Sequence, residues 1–135
     1  MNTKWLDQTN MSEVNLVGGK NASLGEMLQN LTNLGINIPN GFVVTAIGFD
    51  NFISNNNISQ QIDNIINSID INNTIELKNK SNQIKKLIID SEFPEKLKND
   101  IKEYYLQLCQ KYNTNDLDVA VRSSGTSEDM PDASF

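Results

Sequence analysis

Two short stretches hold residue types that could grip an anion. The first is "LVGGKNASLGEM", in which Gly18 and Gly19 precede Lys20 and a helical pattern opens at about Asn21. Glycines let the backbone approach a ligand closely, a lysine adds a mobile point charge, and the exposed N–H groups and dipole of a helix N-terminus favour negative charge. The second is "VAVRSSGTSEDMPDASF", where Arg122 is followed at once by Ser123, Ser124, Gly125, Thr126 and Ser127. Arg122 is the sole arginine of the 135 residues; the other basic side chains are all lysine. Arginine presents a rigid planar fork that matches phosphate oxygens, whereas lysine presents a rotating charge.

Each stretch has a plainer interpretation. The first could be a glycine turn before a helix with a solvated lysine. It is not a P-loop, because the first glycine of that motif would fall at Val14 and Asn21 stands where a hydroxyl residue is required. The second could be a structural ion pair of Arg122 with Glu128, Asp129 or Asp132, with Ser124 or Thr126 capping a short helix. A serine nucleophile is excluded in these residues, since the chain has no histidine to act as base and the G-x-S-x-G spacing is absent. The same lack removes histidine metal ligands.

Composition narrows the partners. Eleven basic against seventeen acidic groups give a formal charge of −6, which argues against nonspecific nucleic-acid binding. Any bound anion must be held by a local constellation. Cys109 has no internal partner, which fits a reducing, cytoplasmic setting. The opening residues hold no apolar run long enough for a signal peptide or membrane span.

The elements that must position these clusters follow from periodicity. Leu24, Met27, Leu28, Leu31 and Leu34 make one helical stripe over 21–34, with Gly35 placed for a left-handed cap. "FVVT" reads as a strand after the Pro39–Gly41 turn, and Thr45 can cap a helix carrying Ile47, Phe49 and Phe52. Further helices are expected over 58–70 (Ile62, Ile65, Ile66, Ile69), over 74–90 (Ile84, Leu87, Ile88) and after Pro94 (Leu97, Ile101, Tyr104, Tyr105, Leu108). Leu117, Val119 and Val121 alternate as in a strand that would deliver Arg122 at its carboxyl end, where α/β sheets bind ligands. The expected fold class is α/β (α+β), helix-rich with a small incomplete sheet that calls for a partner segment.

"VGGKNASLGEM", "GINIPNGFVVT" and "AVRSSGTSEDMPDASF" together resemble, in order and spacing, the N-terminal region of the phosphoenolpyruvate synthases (pyruvate, water dikinases). The intervening helical stretch is similar to their insert, so the resemblance covers nearly the whole chain. It implies the N-terminal lobe of an ATP-grasp-type nucleotide-binding domain, cut short at its C-terminal end, over residues 1–135. Lys20 and Arg122 match the family's ATP-contacting lysine and arginine, with Gly18, Gly19, Ser123, Ser124 and Thr126 shaping the pocket loops. The implied reaction turns ATP, pyruvate and water into AMP, phosphoenolpyruvate and phosphate with magnesium. The second half of the ATP site, the phosphohistidine, the pyruvate site and the Mg2+ ligands would lie outside this chain in the same protein, so this chain alone should not turn over. No catalytic residue, no metal ligand, no nucleic acid and no membrane are expected here, and oligomeric state is not readable. Two alternatives are a piece of a related enzyme such as rifampicin phosphotransferase, and a non-catalytic nucleotide-binding or interaction module.

Overall fold

A computed structural model describes residues 1–127. The described residues divide into two compact units, one formed by residues 1–49 and 95–127, the other by Asp50–Pro94.

The first unit is built on a two-stranded antiparallel sheet. Strand β1 (Thr3–Trp5) pairs with β2 (Phe42–Val44) in the register Thr3–Val44, Lys4–Val43 and Trp5–Phe42. Bonds beyond the strands extend the ladder, from Leu6 N–H to the Gly41 carbonyl and from Thr45 N–H to the Asn2 carbonyl, both 2.9 Å. β2 lies where "FVVT" predicts it. β1 has no sequence signature, because three residues show no usable period; it exists through its partner.

Helix α1 (Val14–Val17) is a single turn, and α2 (Gly19–Leu31) follows directly, continued by a 3₁₀ turn over Thr32–Leu34. Gly35 closes it at φ 81°, the left-handed cap its position predicts. The predicted stripe on α2 is corrected. Of its leucines and methionine only Leu28 is buried, while Met27 and Leu34 are exposed. The buried face is instead Gly19, Ala22, Gly25 and Leu28. At Gly25 an added β-carbon would meet Thr9 Oγ1 at 2.2 Å and the Thr9 carbonyl oxygen at 2.3 Å. The helix touches backbone there, and no large side chain fits. Leu6, Val17, Ala22, Leu28 and Val43 form the core, with Val14, Leu16, Leu24 and Ile38 packed against it.

Thr45 Oγ1 accepts the Gly48 N–H at 3.2 Å and so caps α3 (Ala46–Asn55), as its place before the helix predicts. Helix α6 (Glu95–Lys111) begins just after Pro94 and buries Leu97, Leu108 and Cys109. Tyr104 stacks on Trp5 with ring centres 4.7 Å apart and meets Phe42 at 5.4 Å, which fixes α6 on the sheet. Its hydroxyl donates to the Thr3 carbonyl at 3.3 Å.

The second unit holds α4 (Ser59–Asn67) and α5 (Thr74–Ile89), which pack together. α4 is shorter at its C-terminal end than the predicted 58–70. Asn73 caps α5 by accepting the Glu76 N–H at 3.1 Å. Phe52 and Phe93 meet at 5.6 Å, and Asn56 bonds both the carbonyl and the N–H of Glu92.

The predicted strand over 117–121 does not form. The segment joins no ladder, with Val119 50% and Val121 93% exposed. Alternation specifies two faces, not a partner, and among the described residues no strand offers this segment its hydrogen bonds.

Candidate nucleotide-phosphate groove

α2 opens at Gly19, two residues before its predicted start, so Lys20 stands in the first turn of a 13-residue helix. The change comes from Gly18, whose φ of 82° and ψ of 154° end α1 and turn the chain into α2. First-turn N–H groups have no intrahelical partner, and no side chain caps this helix. A lysine at the positive end of the helix dipole is unfavourable to the helix itself.

The second cluster arrives along a traced path. At the end of α6, Lys111 pairs with Asp7 at 3.4 Å, and the Tyr112 hydroxyl accepts the Asn40 N–H at 2.9 Å. The Tyr105 hydroxyl accepts the Leu117 N–H and donates to the Leu117 carbonyl, both 3.1 Å. Its pKa lies above the usual phenol value, chiefly through a hydrogen bond with Cys109 and then through desolvation. From this anchor the chain runs on to Arg122 without regular secondary structure.

The two clusters then share one open groove of about 710 Å³. Lys20, Arg122, Ser123 and Thr126 form its polar side together with Gly19 and Asn21, which supply the α2 terminus. Val14, Leu24, Met11 and Met27 form its apolar side. Of the residues singled out from sequence, Gly19, Lys20, Arg122, Ser123 and Thr126 line the groove. Gly18 and Ser124 lie behind the lining, packed on each other, with Ser124 Oγ bonded to the Val17 carbonyl at 3.2 Å. Glu128, Asp129 and Asp132, the alternative partners for Arg122, lie outside the described residues.

The apolar side was not legible as a site. Met27 and Leu24 read as core on a helix begun at Asn21. With the start at Gly19, Lys20, Leu24 and Met27 stand at i, i+4 and i+7 on one face, and that spacing is the signal that could have found them. Met11 gives no local signal.

In chemical terms the groove offers two cations of different geometry, three hydroxyls (Ser23, Ser123 and Thr126) and a helix N-terminus to an anion, beside an apolar wall. Among the described residues no group of three or more acidic or cysteine side chains could hold a metal ion. No described helix is long and apolar enough to cross a membrane.

Residues 14–135 match the family model described as pyruvate phosphate dikinase, AMP/ATP-binding domain, and the chain belongs to that family. It is 44% identical over 131 residues to a phosphoenolpyruvate synthase of Aquifex aeolicus, covering 97% of this chain and 15% of that protein. The phosphoenolpyruvate synthase of Escherichia coli (strain K12) is likewise 44% identical over 131 residues, at 97% and 16% coverage. That of Synechocystis sp. is 41% identical over 135 residues, at 97% and 16%. The chain thus spans about one sixth of the length of these relatives and corresponds to their N-terminal part.

Proposed function

We propose that this chain supplies one wall of the ATP site of a phosphoenolpyruvate synthase, with Lys20 and Arg122 holding the polyphosphate. The observation that carries this reading is their convergence on one groove at the uncapped N-terminus of α2. Arg122 takes two phosphate oxygens in its planar fork, and Lys20 follows the charge with a flexible ammonium. Ser123 and Thr126 add hydroxyl donors, and the first-turn amides of α2 add fixed dipoles. Such groups act by positioning and by stabilising charge as a phosphoryl group leaves.

By the same reading the lobe is of the ATP-grasp type and works in the cytoplasm. The complete protein converts ATP, pyruvate and water to AMP, phosphoenolpyruvate and phosphate. The phosphorylated histidine belongs to another part of that protein, because this chain contains no histidine. Magnesium, when bound with ATP, would offset phosphate charge; among the described residues no carboxylate set for it is present, and by the same reading its protein ligands belong to the rest of the protein. The named relatives favour pyruvate and water over an antibiotic as acceptors.

Calorimetric titration of ATP into the chain tests the site. Wild type should bind, Lys20→Ala and Arg122→Ala should each bind more weakly, and no ATP hydrolysis should accompany binding. Equal affinity in all three proteins would reject the assignment.

A further inference from the structure

Ser124 stands in a run of hydroxyl residues, yet its hydroxyl is turned from the groove that Ser123 and Thr126 line. Ser124 Oγ donates instead to the Val17 carbonyl at 3.2 Å, across 107 residues of sequence. The same carbonyl accepts Asn21 Nδ2 at 2.7 Å, from the first turn of α2. One acceptor thus ties the start of the helix that carries Lys20 to the loop that carries Arg122.

The contact depends on Gly18. A β-carbon there would lie 2.1 Å from Ser124 Oγ, 3.3 Å from Ser124 Cβ and 3.0 Å from the Gly125 carbonyl oxygen. Only a residue without a side chain lets the loop close on the α1–α2 turn. Its φ of +82° is one that glycine adopts without strain.

We propose that Ser124 is a positioning residue: through the Val17 carbonyl, and over the bare backbone of Gly18, it holds the Arg122 loop in register with Lys20. This rests on the reading of the groove as an ATP site. A serine that touched phosphate directly would contribute independently of Arg122. A latch acts through Arg122.

The test combines two measurements on the chain, both at a temperature where every variant is shown to be folded. In ligand-free protein, Ser124→Ala should speed amide hydrogen exchange across residues 122–126, and Ser124→Thr, which keeps the hydroxyl, should restore protection. In ATP titrations, Ser124→Ala should weaken binding by about three- to tenfold, the range of one neutral hydrogen bond. That loss should largely vanish in an Arg122→Ala background and persist in a Lys20→Ala background. Unchanged exchange in Ser124→Ala, or a loss that adds in full to Arg122→Ala, overturns the latch. Failure of wild type to bind ATP, with exchange responding as expected, would instead remove the nucleotide reading beneath it.

Discussion

Gly25 of α2 packs against the backbone of Thr9 so closely that a β-carbon on Gly25 would lie 2.3 Å from the Thr9 carbonyl oxygen and 2.7 Å from that of Leu6. Around this contact Thr9 Oγ1 donates to the Leu6 carbonyl at 2.8 Å, and Gln29 Nε2 donates to the Thr9 carbonyl at 2.7 Å. The depth at which α2 is seated, and with it the place of Lys20 at its end, is set by backbone against backbone.

Gly25→Ala should therefore destabilise the fold. Alanine gains about 1 kcal/mol of helix propensity over glycine. The clash is with rigid backbone, and overpacking costs about 1–3 kcal/mol or more. Urea unfolding should show a lower midpoint with an unchanged slope; a midpoint at or above that of wild type would contradict the packing.

The two cations of the groove should differ in what replaces them. Charged hydrogen bonds contribute about 1.5–3 kcal/mol each, so Arg122→Ala should weaken ATP binding about ten- to hundredfold. Arg122→Lys should recover only part of this, because a point charge cannot hold two oxygens in one plane. Both losses should shrink at high salt, since the groove is open. Titrations at two ionic strengths check the pair; full recovery in Arg122→Lys would show that the fork is not used.

Trp5 is the sole tryptophan and reports on the seat of α6. Tyr104 meets two rings, Trp5 and Phe42, and each aromatic pair contributes about 0.5–1.5 kcal/mol beyond buried area. Tyr104→Leu should lower stability by about 1–3 kcal/mol and shift Trp5 emission. Guanidinium unfolding followed at Trp5 measures both, and an unshifted transition would deny the stack a role.

Alkaline pH should destabilise the fold through Tyr105. The Tyr105 phenol titrates above its ordinary value of about 10, chiefly because of its hydrogen bond with Cys109, with desolvation and the charge of Asp116 also raising it. The folded state therefore keeps this proton where the unfolded state loses it. The stabilisation is fully present below the unfolded pKa and is lost as pH rises towards the folded one. Thermal midpoints of wild type should fall over that alkaline window more steeply than those of Tyr105→Phe; parallel slopes would remove Tyr105 as the cause.

The sequence by itself determined what depends on neighbours along the chain. α5 and α6 begin and end close to where periodicity, Pro94 and the last apolar residues place them. Thr45 and Gly35 cap as their types require, because capping is a bond within one turn. The types of Lys20 and Arg122 marked them as candidates in sequence, since fork and point charge are properties of the side chain alone, and both line one groove. Tertiary structure decided the rest. β1, with no pattern of its own, exists only because β2 lies beside it, while 117–121, strand-like in its alternation, has no ladder among the described residues. The buried face of α2 follows Ala22 and Gly25 in place of the leucines, because an approach to the backbone of Thr9 excludes large side chains. The groove itself needs Lys20 and Arg122 side by side, through contacts that span more than a hundred residues. Local pattern records polarity and spacing along one element; which two elements meet is a property of the folded chain.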